Sequence, residues 1–429
     1  MMRNRITAVL AAVLLSVPTM LSAQMVRSSE FNKKYTLKEV VVLSRHNIRA
    51  PLCDGNSILG QATTHQWHPW SAATGELTTR GGVVETMMGQ YFRKWIASTG
   101  LIGENQTPTA DDVLFYANSM QRTIATAQYF AAGFMPVQGI RIFHRFAPSK
   151  MDPVFRPQIT RLAPKYEKET LAQIAAAWGG TSLTRANKML ADSYSTISRV
   201  LDLEHSPAYK AGTVRTLADD NCSVSLKVGE EPIMHGSLLN AAIISDALTL
   251  QYYEQPDNRK AAFGHDLNEA DWEKIARVKD TYQQILFGSK AVAVNTAHPL
   301  LVYINDELHA DCRKFTFLCG HDSNIASVTT ALDVEPYELP EAIEKQTPIG
   351  CKLVFEKWTD AEGKLFVAVN IAYPATRQLR QLAPIDADNR PMVQPLRLKG
   401  MTPNADGLYA WTDIEGRFQQ AIRAYDDIR

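Results

Sequence analysis

Val40-Val41-Val42-Leu43-Ser44-Arg45-His46-Asn47-Ile48-Arg49-Ala50-Pro51 is the stretch on which the reading of this chain turns. A short Val-rich apolar run reads as a buried strand, and Pro51 stops the pattern. Buried strands that end abruptly in polar residues present them at the carboxyl edge of a sheet, where α/β proteins keep their sites. Arg45 and Arg49 offer planar forks of N–H donors that match the oxygens of a phosphate. His46 between them can attack phosphorus as a neutral imidazole. The flanking positive charge disfavours the imidazolium, so this ring is expected to stay unprotonated below the ordinary value of about 6.5.

Working outward, 429 residues can bury a large core, and the length suggests two or three domain-sized units. Lys plus Arg number 45 and Asp plus Glu number 45. That balance argues against a nucleic-acid binder or a polybasic membrane-surface protein. The first residues read as a secretory leader: Arg3 and Arg5, an uncharged apolar run from Ile6 to Met20, then Leu21-Ser22-Ala23. The apolar run is short for a bilayer span. Residues 1–23 are therefore expected to be a cleaved signal peptide, giving an exported, periplasmic protein with no membrane anchor. Export permits disulfides, but the five cysteines (Cys53, Cys222, Cys312, Cys319, Cys351) leave at least one unpaired in a monomer. Cys319 ends an apolar run and reads as a buried thiol.

After a loop rich in Gly, His, Trp and Pro, Thr78 or Thr79 can cap a helix whose apolar positions run from Val84 to Trp95. Val113–Ala117 reads as the next strand and Arg122–Phe134 as the next helix. Strand, helix, strand, helix predicts a parallel sheet with crossover helices. Between Met151 and Ser289 the strand signal disappears, and amphipathic stretches recur at Lys168–Trp178, Arg185–Leu203, Ser237–Glu254 and Glu269–Phe287. Strands resume at Phe315–Cys319, Cys351–Phe355 and Leu365–Ala372, before a last helix at about Asp413–Tyr425. The organisation expected is an α/β catalytic domain from 24–150 and 290–429, interrupted by a helical cap domain over 151–289.

A second strand end repeats the first device: Phe315-Thr316-Phe317-Leu318-Cys319 runs into Gly320-His321-Asp322-Ser323-Asn324 and then a helical pattern. Asp322 reads either as a helix N-cap or as a carboxylic acid that protonates a leaving alkoxide. His321 can donate a hydrogen bond to a phosphate oxygen. A third strand end, Ala117-Asn118-Ser119-Met120-Gln121-Arg122, puts Arg122 in the first turn of a helix, where backbone N–H groups also favour anions. No His-Glu-x-x-His, Gly-x-Ser-x-Gly or Walker-type loop is present. His65, His68, His144, His235 and His298 show no metal-ligand spacing, and neither a metal nor a cofactor is expected.

Arg45-His46-Asn47-Ile48-Arg49-Ala50-Pro51 with the distant His321-Asp322 resembles the histidine acid phosphatases, whose pattern is Arg-His-Gly-x-Arg-x-Pro followed far downstream by His-Asp. Asn47 stands where that pattern has Gly, as it does in the bacterial periplasmic glucose-1-phosphatase branch. Gly320–Ser327 and Thr347-Pro348-Ile349-Gly350 carry the likeness further, while residues 160–230 and the cysteine positions match poorly. The resemblance implies a phosphoglycerate-mutase-like α/β sheet domain with an inserted, mostly helical cap. It implies His46 as nucleophile forming a phosphohistidine, Arg45, Arg49, Arg122 and His321 as phosphate ligands, and Asp322 as proton donor. The expected activity is hydrolysis of a small-molecule phosphate ester, a sugar phosphate such as glucose-1-phosphate. A phytase and a non-catalytic phosphate-ester binder are the alternatives; a binder would need the arginines but not His46 and Asp322 together.

Overall fold

The computed structural model describes residues 25–53, 57–136, 139, 141–219, 221–311 and 313–428. The leader expected at 1–23 lies outside the described residues. Among the described residues nine strands form: β1 Tyr35–Arg45, β2 Val113–Ala117, β3 Ser223–Ser225, β4 Ile233–His235, β5 Phe315–Gly320, β6 Lys352–Asp360, β7 Leu365–Tyr373, β8 Met392–Pro395 and β9 Tyr409–Ala410. The main sheet has the order β2-β5-β1-β6-β7-β8, with β9 paired to β7, and β3 and β4 make a separate ladder.

The sheet is mixed, where the first strand-helix-strand-helix pattern predicts parallel pairing. β2, β5 and β1 are parallel, whereas β6, β7 and β8 are antiparallel to their neighbours. Only four residues, 361–364, join β6 to β7, and so short a link cannot make a parallel crossover. Helix-sized segments separate β1, β2 and β5, and there the parallel reading holds. The ladder of β3 and β4 lies inside the stretch that reads as mostly helical, because three-residue strands are too short to show a period.

The main helices are α1 Thr79–Ser98, α2 Gln121–Phe134, α3 Pro164–Trp178, α4 Ala191–Leu201, α5 Ser237–Glu254, α6 Glu269–Phe287, α7 Lys290–Thr296, α8 His298–His309, α9 Asp322–Ala331 and α10 Trp411–Asp426. α7 and α8 fall where the sequence reading marked no element. β1 is buried on both faces. Val40 and Val42 join a core with Val84 and Phe92 of α1 and Phe130 of α2. Val41 and Leu43 join one with Leu301 of α8, Val328 of α9 and Phe418 of α10. Full burial of each such side chain is worth about 1.5–3 kcal/mol, so the pleat of β1 fixes the register of the whole central sheet.

α1 and α2 meet backbone to backbone. A Cβ on Gly89 would lie 2.1 Å from Phe130 O, and one on Gly133 would lie 2.1 Å from Thr86 O. That contact and the stacked Phe130–Phe317 rings, 4.1 Å between centroids, set the start of α2 beside the ends of β1 and β5. Cys222, Cys319 and Cys351 are buried free thiols, and Cys312 lies outside the described residues.

Candidate active site

The three strand ends read from sequence converge. Arg45 closes β1 in register with Gly320 of β5, and the His46 backbone N–H donates to Gly320 O at 3.0 Å. The His46 and His321 rings lie 5.5 Å apart between centroids. Arg122 is the second residue of α2, whose N-cap Met120 supplies no side-chain cap.

Each ring has its tautomer set by a neighbour. His46 Nδ1 lies 2.8 Å from Asn47 O. A carbonyl only accepts, so Nδ1 carries the proton and Nε2 keeps a lone pair. For His321, Asn118 Oδ1 accepts the Asp152 backbone N–H at 2.8 Å. Asn118 Nδ2 must therefore donate, and it meets His321 Nε2 at 2.7 Å. That leaves the proton of neutral His321 on Nδ1. Burial, then Arg122, His321, Arg49 and Arg45, hold the His46 imidazole well below its ordinary value. Burial and Arg122 do the same to His321.

The arginines are clamped by acids from other elements. Arg45 Nη1 donates to Glu344 Oε1 at 2.6 Å and to Thr347 O, and Glu344 Oε2 accepts from Tyr253 Oη and the Ile349 N–H. Arg49 Nη2 donates to Asp246 Oδ2 of α5 at 2.7 Å. Arg122 Nη1 makes one long contact to Gly75 O, 3.5 Å, and burial and Arg49 push its guanidinium down to about 10. Each of the three keeps a buried Nε–H without a hydrogen-bond partner. Buried donors are nearly always paired, so three orphans around one pair of imidazoles suit an anion.

Asp322 opens α9 but does not cap it. The N-cap is His321, whose backbone N–H donates to Asn324 Oδ1 at 2.8 Å. Asp322 Oδ1 takes only the neighbouring Ser323 N–H. Its Oδ2 lies 3.0 Å from Lys279 Nζ of α6 and 3.6 Å from Arg45 Nη2. Burial pulls this carboxyl up, but Lys279 and Arg45 outweigh it and hold the group well below the ordinary carboxylate range.

Sequence reasoning missed Lys279, Asp246, Glu344 and Glu231. Burial raises the Glu231 carboxyl, and its charge is felt by Asp322, Lys279 and Arg122. Asp246 did carry a signal. It and Glu254 are the only charged residues of the otherwise apolar or neutral α5, and a charge on such a helix needs a partner. Lys279 sits in a helix with many charges, so nothing in the sequence singles it out.

Under the site lies a second polar layer. Asn47 Nδ2 donates to Glu85 Oε2 at 2.8 Å, and Glu85 pairs with Lys352 at 2.7 Å, both fully buried. Gly350, at φ +70°, lets the chain pass over Asn47; a Cβ there would lie 2.6 Å from Asn47 Nδ2.

The chain is 37% identical over 401 residues to the glucose-1-phosphatase of Providencia rettgeri, covering 92% of this chain and 94% of that protein. It is 37% identical over 404 residues to the glucose-1-phosphatase of Salmonella typhimurium, covering 93% and 94%. The apo Hafnia alvei phytase superposes with a TM-score of 0.83 at 25% identity, over 91% of this chain and 98% of that one. Residues 36–371 match the family described as histidine phosphatase superfamily (branch 2), and with both strand-end motifs inside that span, the chain belongs to it.

Proposed function

We propose that this phosphomonoester hydrolase acts on sugar phosphates such as glucose-1-phosphate, through a phosphohistidine on His46. The observation that carries the reading is the lone pair of His46 Nε2, held unprotonated among three guanidiniums with orphaned donors. In the first step that lone pair forms a bond to phosphorus as the P–O bond to the sugar breaks. The departing alkoxide takes the proton of Asp322. In the second step the Asp322 carboxylate accepts a proton from water as the oxygen attacks phosphorus, and the P–N electrons return to Nε2. Arg45, Arg49, Arg122 and the His321 Nδ1–H meet the charge on the equatorial oxygens, which is most of what phosphoryl transfer asks of a protein.

A monoester fits better than a phytate-like polyphosphate. Arg45 and Arg49 are already paired to Glu344 and Asp246, and Glu231 adds negative charge. Lys279 is likewise paired, to Asp322 at 3.0 Å. The helices of 151–289, which bring Asp246 and Lys279, serve in this reading as the cap, closing over a catalytic sheet domain of 24–150 and 290–429. The leader-like residues 1–23 support periplasmic export, and no helix among the described residues is long and apolar enough to cross a membrane.

The test is rapid quench with labelled glucose-1-phosphate. Acid-labile, alkali-stable label on the protein, lost with turnover in His46→Ala, is the expected result. Turnover of phytate well above that of glucose-1-phosphate would overturn the substrate assignment, and turnover without label would overturn the intermediate.

A further inference from the structure

Away from the strand ends, three segments bring two histidines to one carboxylate. His65 lies in the loop that follows the Arg45–Pro51 stretch, Asp202 ends α4, and His265 follows the left-handed pair Phe263 and Gly264 in the connection between α5 and α6. His65 Nε2 lies 2.8 Å from Asp202 Oδ2, and His265 Nε2 lies 3.6 Å from the same oxygen. All three ligand atoms fall within 4.8 Å of one another, on half-buried side chains. One histidine–aspartate hydrogen bond accounts for His65. It does not account for His265, whose distance is too long for a hydrogen bond.

A tetrahedral zinc ion with bonds of about 2.0–2.1 Å has ligand-to-ligand edges of roughly 3.3 Å, and the two separations bracket that edge. The side chains are set before any ion arrives. His65 stacks on Phe263 at 5.0 Å with an 8° tilt, and Trp67 packs edge-on against the same ring. Thr63 Oγ1 accepts the His65 N–H and donates to Leu201 O, sewing the loop to the helix end that carries Asp202. Gln251 of α5 does the same on the other side, accepting from the His68 N–H and donating to Ala261 O.

We propose that His65, Asp202 and His265 form a divalent-metal site of the zinc class, with the fourth position open to water. Two imidazoles and a carboxylate are ligands that suit zinc. The ion fastens the loop after the nucleophile to α4 and to the connection between α5 and α6, the helices that bring Asp246 and Lys279 to the site. It is a positioning site and takes no part in bond breaking. Residues 65, 202 and 265 are so far apart in the chain that no linear spacing announces them, which is why the histidines read as ordinary from sequence.

The test uses the whole protein, stripped with EDTA and titrated with Zn²⁺ by calorimetry. Co²⁺ serves in parallel, for the visible absorption of a tetrahedral site. One ion per chain is expected, with affinity falling at least about tenfold in His65→Ala and in His265→Gln. His46→Ala should bind as wild type, which separates this site from the catalytic imidazoles. Equal affinity in wild type and both cluster variants would overturn the proposal, as would no uptake by wild type. Anomalous diffraction from zinc-soaked wild-type crystals decides independently of how the variants fold. A peak among the three side chains supports the site, and peaks only elsewhere refute it.

Discussion

Lys279 Nζ lies 3.0 Å from Asp322 Oδ2, and Arg45 Nη2 lies 3.6 Å from the same oxygen. In the free protein these cations favour the ionised carboxyl, the form that in the proposed mechanism takes a proton from water in the second step. The first step needs the protonated form. An anionic phosphate ester beside Asp322 raises its pKa, so the acid is made in the complex. The basic limb of kcat then reports Asp322 losing its proton with substrate bound, and the acid limb reports His46 gaining one. Because His46 is held well below its ordinary value, the optimum is expected below neutrality. Lys279→Met removes a cation that favours the carboxylate, so the acid form persists to higher pH. The basic limb should therefore move alkaline, and an unmoved or more acidic limb would refute the link. Asp322→Asn should be severe on glucose-1-phosphate and mild on p-nitrophenyl phosphate, whose leaving group needs no proton. A capping role predicts near silence on both, since Asn caps about as well as Asp. His46, the arginines and Asp322 were legible as candidates because they sit at or just past the ends of buried strands. Lys279 was not, because only the packing of α6 over the site gives that lysine a partner.

Among the elements, β1 and β6 share more than a ladder. Lys352 opens β6 and pairs with Glu85 of α1 at 2.7 Å, both fully buried. Its Nζ also donates to Gly350 O at 2.9 Å and Ser44 Oγ at 3.2 Å. Glu85 in turn holds Asn47, whose carbonyl accepts the His46 Nδ1–H. The pair thus supports the loop that carries His46, the proposed nucleophile. Removing one partner of a buried ion pair costs about 3–5 kcal/mol, because the other charge is left uncompensated. Lys352→Met should lose that much in urea unfolding and should also lower turnover. Glu85→Gln combined with Lys352→Met should recover much of the stability. A loss no larger than an ordinary surface change, about 0.5 kcal/mol, would show the pair to be idle. The strong elements were legible: Ser237–Glu254 and Glu269–Phe287 have the very bounds their periodicity gives. What failed was direction and brevity. The short link between β6 and β7 signals their antiparallel pairing, but how β6 returns beside β1 after α9 has no local pattern. The stretch 185–203, which reads as one helix, breaks at Leu190, between Thr184–Met189 and Ala191–Leu201.

For the whole molecule the site is a meeting of like charges held by parts distant in sequence. Arg45 and Arg49 come from the end of β1, Arg122 from α2 and Lys279 from α6. Their counter-charges Asp246, Asp322 and Glu344 come from α5, α9 and the segment before β6. Mutual repulsion is visible in Arg122, pushed down to about 10 by burial and by Arg49. In the proposed reading, a bound phosphate would relieve that repulsion and satisfy the orphaned Nε–H donors. The unfolded chain offers no such assembly, so binding stabilises only the native state. At roughly a hundred times its Kd, inorganic phosphate should add about 2.7 kcal/mol to unfolding, read as a rise in the denaturant midpoint with little change in slope. Arg122→Ala removes one ligand and one source of repulsion together. The phosphate-free variant should therefore lose little stability or gain some, while its response to the same phosphate concentration shrinks. Should the phosphate-induced shift be as large in Arg122→Ala as in wild type, the anion is not held by α2. The convergence of three strand ends on one phosphate would then fail at its third member.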